Sequence, residues 1–114
     1  MSDGQDETLS QLSEIARREH DWDGFGSAAA SAPSVRRARK FWLELRAASS
    51  RVTSPAVVSS SSGTVSFVWS NGVEIHFPEM GPIFSIREEN GQVRVTDLVD
   101  IVEGVEMVPR MKLG

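Results

Sequence analysis

The fold turns on residues 64–77, TVSFVWSNGVEIHF. Val65, Phe67 and Trp69 alternate with Ser66, Val68 and Ser70; beyond Asn71-Gly72, Val73, Ile75 and Phe77 alternate with Glu74 and His76. That is the two-residue period of a strand with one buried face. Two registers compete for this hairpin. A two-residue Asn-Gly turn pairs Ser70 with Val73 and Phe67 with His76, which mixes apolar and polar side chains on one face. A three-residue loop, Ser70-Asn71-Gly72 with Gly72 left-handed, pairs Trp69 with Val73, Phe67 with Ile75 and Val65 with Phe77. The longer loop is therefore predicted.

The next stretch, GPIFSIREENGQVRVTDL over residues 81–98, reads the other way. A two-residue Asn90-Gly91 turn pairs Ile86 with Val95 and Arg87 with Arg94, whereas a three-residue loop opposes Ile86 to Arg94, so the tight turn is predicted. Pro78 and Pro82 lie just outside the strands, where a missing amide does no harm. Upstream, the apolar residues after Pro55 form a further strand leading into the serines 59–62, which read as a flexible hairpin loop rather than as a phosphorylation tract. Downstream, residues 97–103 fit a short helix capped by Asp97, with Leu98, Ile101 and Val102 inward, while their β-branched content also fits a strand.

Before Pro55 the period is helical. Thr8 and Gln11 have capping-box spacing, and Leu9, Leu12, Ile15 and Ala16 follow on one stripe, so a first helix is predicted from Thr8. A second starts at Pro33-Ser34, with the serine as cap, and runs to residue 48 with Val35, Ala38, Phe41, Trp42, Leu45 and Ala48 inward and a basic outer face. The fold class is α+β, two N-terminal helices packed on an antiparallel sheet of about four to five strands. The expected core sets Trp69, Phe67, Ile75, Phe77, Phe84 and Ile86 against Leu12, Ile15, Trp42 and Leu45, each large side chain contributing ~1.5–3 kcal/mol before entropy is subtracted. At 114 residues the chain fits one domain, expected over 8–104, between a disordered acidic N-terminus (1–7) and a loosely held tail (105–114).

Composition narrows the chemistry. There is no cysteine, which removes disulfides, thiolate metal sites and cysteine nucleophiles. The opening MSDGQDETLS lacks the basic and apolar segments of a signal peptide, and no apolar run is long enough for a membrane span, so a soluble cytoplasmic protein is expected. The net charge of −4 conceals a segregation: residues 1–25 carry −5, residues 26–55 carry +5 and residues 56–114 carry −4. The basic block consists of Arg36, Arg37, Arg39, Lys40, Arg46 and Arg51 against Glu44. It suits an acidic protein face, a nucleic acid, or the acidic N-terminal part of the same chain.

No catalytic constellation stands out, and neither a metal nor a cofactor is expected. His76 falls on the outward face of its strand and reads as a surface histidine. The ligand types His20, Asp21 and Asp23 are crowded into four positions with no second cluster to complete a shell, and the twelfth residue of a calcium loop counted from Asp21 is Ala32 where a glutamate is needed. Gly24 and Gly26 neither follow a strand nor precede a Gly-Lys-Ser/Thr sequence, so they make no phosphate cradle. The acidic residues are plentiful enough for a carboxylate-dependent hydrolase, yet nothing singles out a pair.

The stretch HDWDGFG, residues 20–26, reads first as an interhelical corner. Asp21 and Asp23 bond turn amides, the two glycines allow positive φ, and Trp22 and Phe25 plug the gap beneath. Two aromatics in a glycine-rich loop also suit a binding anchor. DWDGFGSAAASAPSVRRARKFWLEL resembles, over about residues 21–77, a loosely defined set of small bacterial and phage proteins. In these a W-D-G-aromatic-G corner is followed by a small-residue loop, a proline, a serine-capped helix and a β-hairpin region. Trp22, Asp23, Gly24, Phe25 and Gly26 carry the specific part. Its members are mostly uncharacterised, some beside mobile or toxin-like genes, so the resemblance implies a prokaryotic or phage accessory protein and no reaction.

The functional expectation is a non-enzymatic protein-binding module, antitoxin-like or a phage-encoded inhibitor of a host defence complex. Trp22, Phe25, Arg36, Arg39 and Lys40 are its candidate partner-binding residues, meeting an acidic protein surface. The alternative is a nucleic-acid-binding accessory protein using the basic helix 34–48, and a weaker one the carboxylate-dependent hydrolase. An exposed hairpin edge also permits a homodimer.

Overall fold

The structure, a computed structural model, describes residues 7–17, 29–49, 52–60 and 62–98. Two helices, α1 (Glu7–Ala16) and α2 (Ala32–Ala48), precede five strands, β1 (Ala56–Ser59), β2 (Val65–Val68), β3 (Glu74–Phe77), β4 (Phe84–Glu89) and β5 (Gln92–Asp97). The strands form one antiparallel meander in sequence order, so the fold is α+β with the helices before the sheet.

Both hairpin registers follow the turn chemistry. Val65 opposes Phe77 and Phe67 opposes Ile75, Trp69 N–H donates to Val73 C=O at 2.9 Å, and Gly72 takes φ +90°. The β4–β5 pair has Ile86 against Val95 and Arg87 against Arg94, with Asn90 and Gly91 both at positive φ, as a two-residue turn between right-twisted strands requires. The serine loop between β1 and β2 is tied by its own side chain, because Ser60 Oγ accepts from Thr64 N–H at 3.1 Å and from Ser62 N–H at 3.3 Å.

Helices α1 and α2 cover the face of β1 to β3 that carries Val57, Val65, Phe67, Ile75 and Phe77, while Trp69 and Val73 close the same core from the β2–β3 loop. The interior holds Leu12, Ile15, Val35, Ala38, Phe41, Trp42 and Leu45 from the helices. Its aromatic rings meet edge to face: Phe67 lies 4.8 Å from Phe77 and 6.1 Å from Trp42 between centroids, the arrangement that ring quadrupoles favour. Ala16 and Ala48, expected on the inward stripes, are exposed at the helix ends.

Three expectations are corrected by the packing. Phe84 and Ile86 do not enter the core. The β3–β4 register pairs Ile75 with Ser85, so Ile83 and Ser85 face the helices while Phe84 and Ile86 lie on the helix-free face beside His76 and Glu74. The Thr8–Gln11 capping box does not form. Helix α1 begins at Glu7, Thr8 is buried with no partner for its hydroxyl among the described residues, and Gln11 Oε1 accepts instead from Val57 N–H on β1 at 3.0 Å. The cap of α2 is Ser31, whose Oγ accepts from Ser34 N–H at 3.3 Å, with Pro33 in the first turn as expected. The hydroxyl of Ser34 is buried and joins helix to sheet, donating to Phe77 C=O and accepting from Val65 N–H at 2.8 Å. For residues 97–103, which fit either a helix or a strand, Asp97 is the last residue of β5, and residues 99–103 lie outside the described residues.

Gly63 fixes how the loop before α2 meets the sheet. Its φ is +91°, a Cβ there would sit 2.5 Å from Ala29 C=O, and its own carbonyl accepts from Ser31 N–H at 2.9 Å. Only glycine permits that approach together with that backbone conformation.

Candidate functional site

The basic stripe predicted on the second helix is built by its period. Arg36, Lys40 and Leu43 recur at i, i+4 and i+7, with Arg39 and Glu44 beside them, opposite the buried stripe of Ser34, Val35, Ala38, Phe41, Trp42 and Leu45. Together they line a shallow, open recess on the outer face of α2 that includes the half-exposed Leu43, 50% accessible. Among the described residues, no ion pair takes up Arg36, Arg39 or Lys40. Another recess, lined by Thr53, Ser54, Ala56, Val68, Trp69 and Ser70, has no charged side chain.

The other bases of the block are differently placed. Arg37 reaches over the β3–β4 connection and donates through Nη1 to Pro78 C=O and through Nη2 to Gly81 C=O at 2.6 Å, a fork that pins the loop to the helix. Arg46 lies 5.6 Å over the Trp42 ring. Arg51, Trp22 and Phe25 lie outside the described residues, as do His20, Asp21 and Asp23. The structure thus brings together Arg36, Arg39 and Lys40 of the candidate residues and adds Leu43 and Glu44, which charge counting alone did not select. Their spacing on the helix was the signal that could have found them.

A second cluster lies on the helix-free face of the sheet. Ser66 opposes His76 across β2 and β3; Ser66 Oγ lies 2.7 Å from His76 Nδ1, and His76 Nε2 lies 3.0 Å from Glu74 Oε1. The carboxylate only accepts, so the Nε2–H donates to Glu74, and Nδ1 and the Ser66 hydroxyl share the second hydrogen bond. Phe84 stacks on the imidazole at 5.0 Å with the planes 6° apart. The expected outward direction of His76 is correct, but its side chain is only 22% accessible and both nitrogens are engaged. This trio was implicit in the predicted hairpin, since pairing Phe67 with Ile75 also pairs Ser66 with His76.

A serine, an imidazole and a carboxylate in sequence have the atom types of an acyl-transfer relay. Two further requirements are an approachable oxygen and donors aimed at a developing oxyanion. Ser66 is 5% accessible, and β2 is hydrogen-bonded to a strand on each side, so its N–H groups are committed to the sheet or, at Val65, to Ser34. What the trio does on this face is satisfy its own polar atoms, which lowers the cost of covering the face with apolar surface.

Among the described residues, no group of three or more acidic or histidine side chains is placed to hold a metal ion, and no helix is long and apolar enough to cross a membrane. Comparison of the chain with protein-family models, with curated proteins and with solved structures returns no match.

Proposed function

We propose that this chain is a small non-enzymatic module that binds another protein, docking an acidic surface on the outer face of α2. The observation that carries this reading is the recess in which Arg36, Arg39 and Lys40 lie beside an exposed leucine. Cations that no described residue pairs supply steering and register, while a desolvated apolar centre supplies the contact that survives salt. The reading as an antitoxin-like protein, or as a phage-encoded inhibitor of a host defence complex, rests on the resemblance carried by the W-D-G-F-G stretch. Trp22 and Phe25 remain its proposed second anchor.

A nucleic acid would draw on the cations alone. Engagement of Arg37 with two loop carbonyls and the position of Arg46 over Trp42 leave Arg36, Arg39 and Lys40 as the basic stripe among the described residues, which favours the protein partner.

The test is affinity capture by the tagged chain from its native cells, washed at low and high salt. It compares the wild type with the triple variant Arg36→Glu, Arg39→Glu, Lys40→Glu, and separately with Trp22→Ala. A stoichiometric protein retained at high salt by the wild type and lost by the charge-reversed chain, with unchanged thermal unfolding, is the expected result. Nucleic acid released as salt rises with no protein retained, or a protein retained equally by all variants, overturns the assignment.

A further inference from the structure

The two edges of the sheet are treated differently. At β1 the outward-facing N–H of Val57 is occupied by the side chain of Gln11, and α1 packs along that strand. At β5, all six residues are exposed and no described residue pairs with the outer side. Residues 92–97 include no proline and no glycine, and the β4–β5 register runs without a bulge, so the charges of Arg94 and Asp97 are the only edge-protecting feature in the strand. Its accessible valines, Val93 at 66% and Val95 at 63%, lie on the helix-free face. There Val95 ends a row running Ala56, Val68, Glu74, Ile86, Val95 across all five strands. The carboxylate in that row is turned to His76, so the rest of the row is apolar.

We propose that the outer edge of β5, on which no described residue pairs, is a self-association site, at which a second copy of this chain adds its own β5 antiparallel, with Val95 on the two-fold axis. The hydrogen-bond phase of the strand selects this register. Leu98 N–H donates to Ile83 C=O at 2.8 Å, so alternate residues back along the strand, Thr96, Arg94 and Gln92, direct their backbone groups toward β4. Val93, Val95 and Asp97 direct theirs outward. Placing Val95 opposite Val95 of the second copy sets Val93 opposite its Asp97, and every outward N–H and C=O in 93–97 then meets a partner, making six hydrogen bonds by the antiparallel pattern. Like faces stay together, so the two apolar rows join into one across ten strands. The neighbouring same-face register, centred on Arg94, brings two guanidinium groups together, and shifts by one residue mismatch the faces. Arg94 and Asp97 balance within each strand, so the edge-to-edge approach carries no net charge.

The full chain is examined by sedimentation equilibrium over a wide concentration range and by single-cysteine cross-linking, which the absence of native cysteine makes clean. Val95→Cys places two thiols on residues whose Cα atoms are about 5.5 Å apart, within disulfide reach. Val93→Cys places its thiols four residues out of register, roughly 13 Å apart. The expected result is a concentration-dependent dimer in which Val95→Cys links at least tenfold faster than Val93→Cys. Val95→Pro removes only an outward N–H and leaves the β4–β5 ladder intact, so it is expected to be a folded monomer; Val95→Lys tests the same edge without touching the backbone. A wild-type chain monomeric at the highest concentration, equal linking of both cysteine variants, or a dimer that persists in Val95→Pro or Val95→Lys overturns the proposal.

Discussion

Replacing Ser34 with alanine removes a hydroxyl that holds α2 to the end of the β2–β3 ladder. Its oxygen accepts from Val65 N–H and its proton goes to Phe77 C=O, and those two residues are partners across the strands. All three residues are buried, so water cannot replace the lost bonds. Two net hydrogen bonds are worth about 1–3 kcal/mol, and leaving a buried donor and acceptor bare adds ~1–3 kcal/mol each if neither finds another partner. Val65 and Phe77 face one another and can close part of the gap, and alanine is the better helix former by up to ~0.7 kcal/mol. The balance predicts a loss of about 2 kcal/mol, a large share of the ~5–15 kcal/mol that stabilises a typical domain. The assay is urea unfolding followed by tryptophan fluorescence and by far-ultraviolet circular dichroism, with a fall of about 10 °C in Tm as the thermal counterpart. A loss below about 0.5 kcal/mol with an unchanged urea slope would show that the hydroxyl bridge does not hold helix to sheet, and would refute the reasoning.

Gly63→Ala is expected to cost more than Gly72→Ala, although the two glycines share a φ near +90°, because only at Gly63 does the added Cβ meet a carbonyl, 2.5 Å away; paired thermal melts give the difference, and equal losses would remove the contact from the account. Arg37→Ala should lower stability by about 1–2 kcal/mol while Arg36→Ala leaves it within about 0.5 kcal/mol, since only Arg37 bonds the β3–β4 loop; chemical denaturation of both variants checks this. Trp42→Ala opens a cavity under Phe67 and should cost about 3–5 kcal/mol, read as loss of the cooperative unfolding transition or its displacement to low urea.

Part of the candidate site could be read directly from the chain. Arg36, Arg39 and Lys40 share an exposed helix face by period alone, whatever the helix packs against. The withdrawal of Arg37 could not be read, because its partners lie 41 and 44 residues away on a loop whose position depends on the sheet. The Ser66–His76 contact stands between these cases: the hairpin register implies it, but the stacking of Phe84 that shelters the imidazole needs β4 in place.

The same division runs through the fold. By itself the sequence determined the two helices, the change of period after Pro55 and both hairpin registers, because each follows from interactions within about a dozen residues: stripe spacing, alternation and the φ demanded at Gly72, Asn90 and Gly91. Tertiary structure decided which face of β4 is buried. Residues 78–83 form no tight turn, so the register of β4 on β3 is selected by the sheet and by Arg37 bonding that connection, and Ser85 rather than Ile86 turns toward the helices. It also drew Gln11 from its own helix cap to the edge of β1, and Ser34 from capping to the ladder. A polar side chain bonds whichever group the packed chain leaves without a partner, and that group is known only once the layers have met.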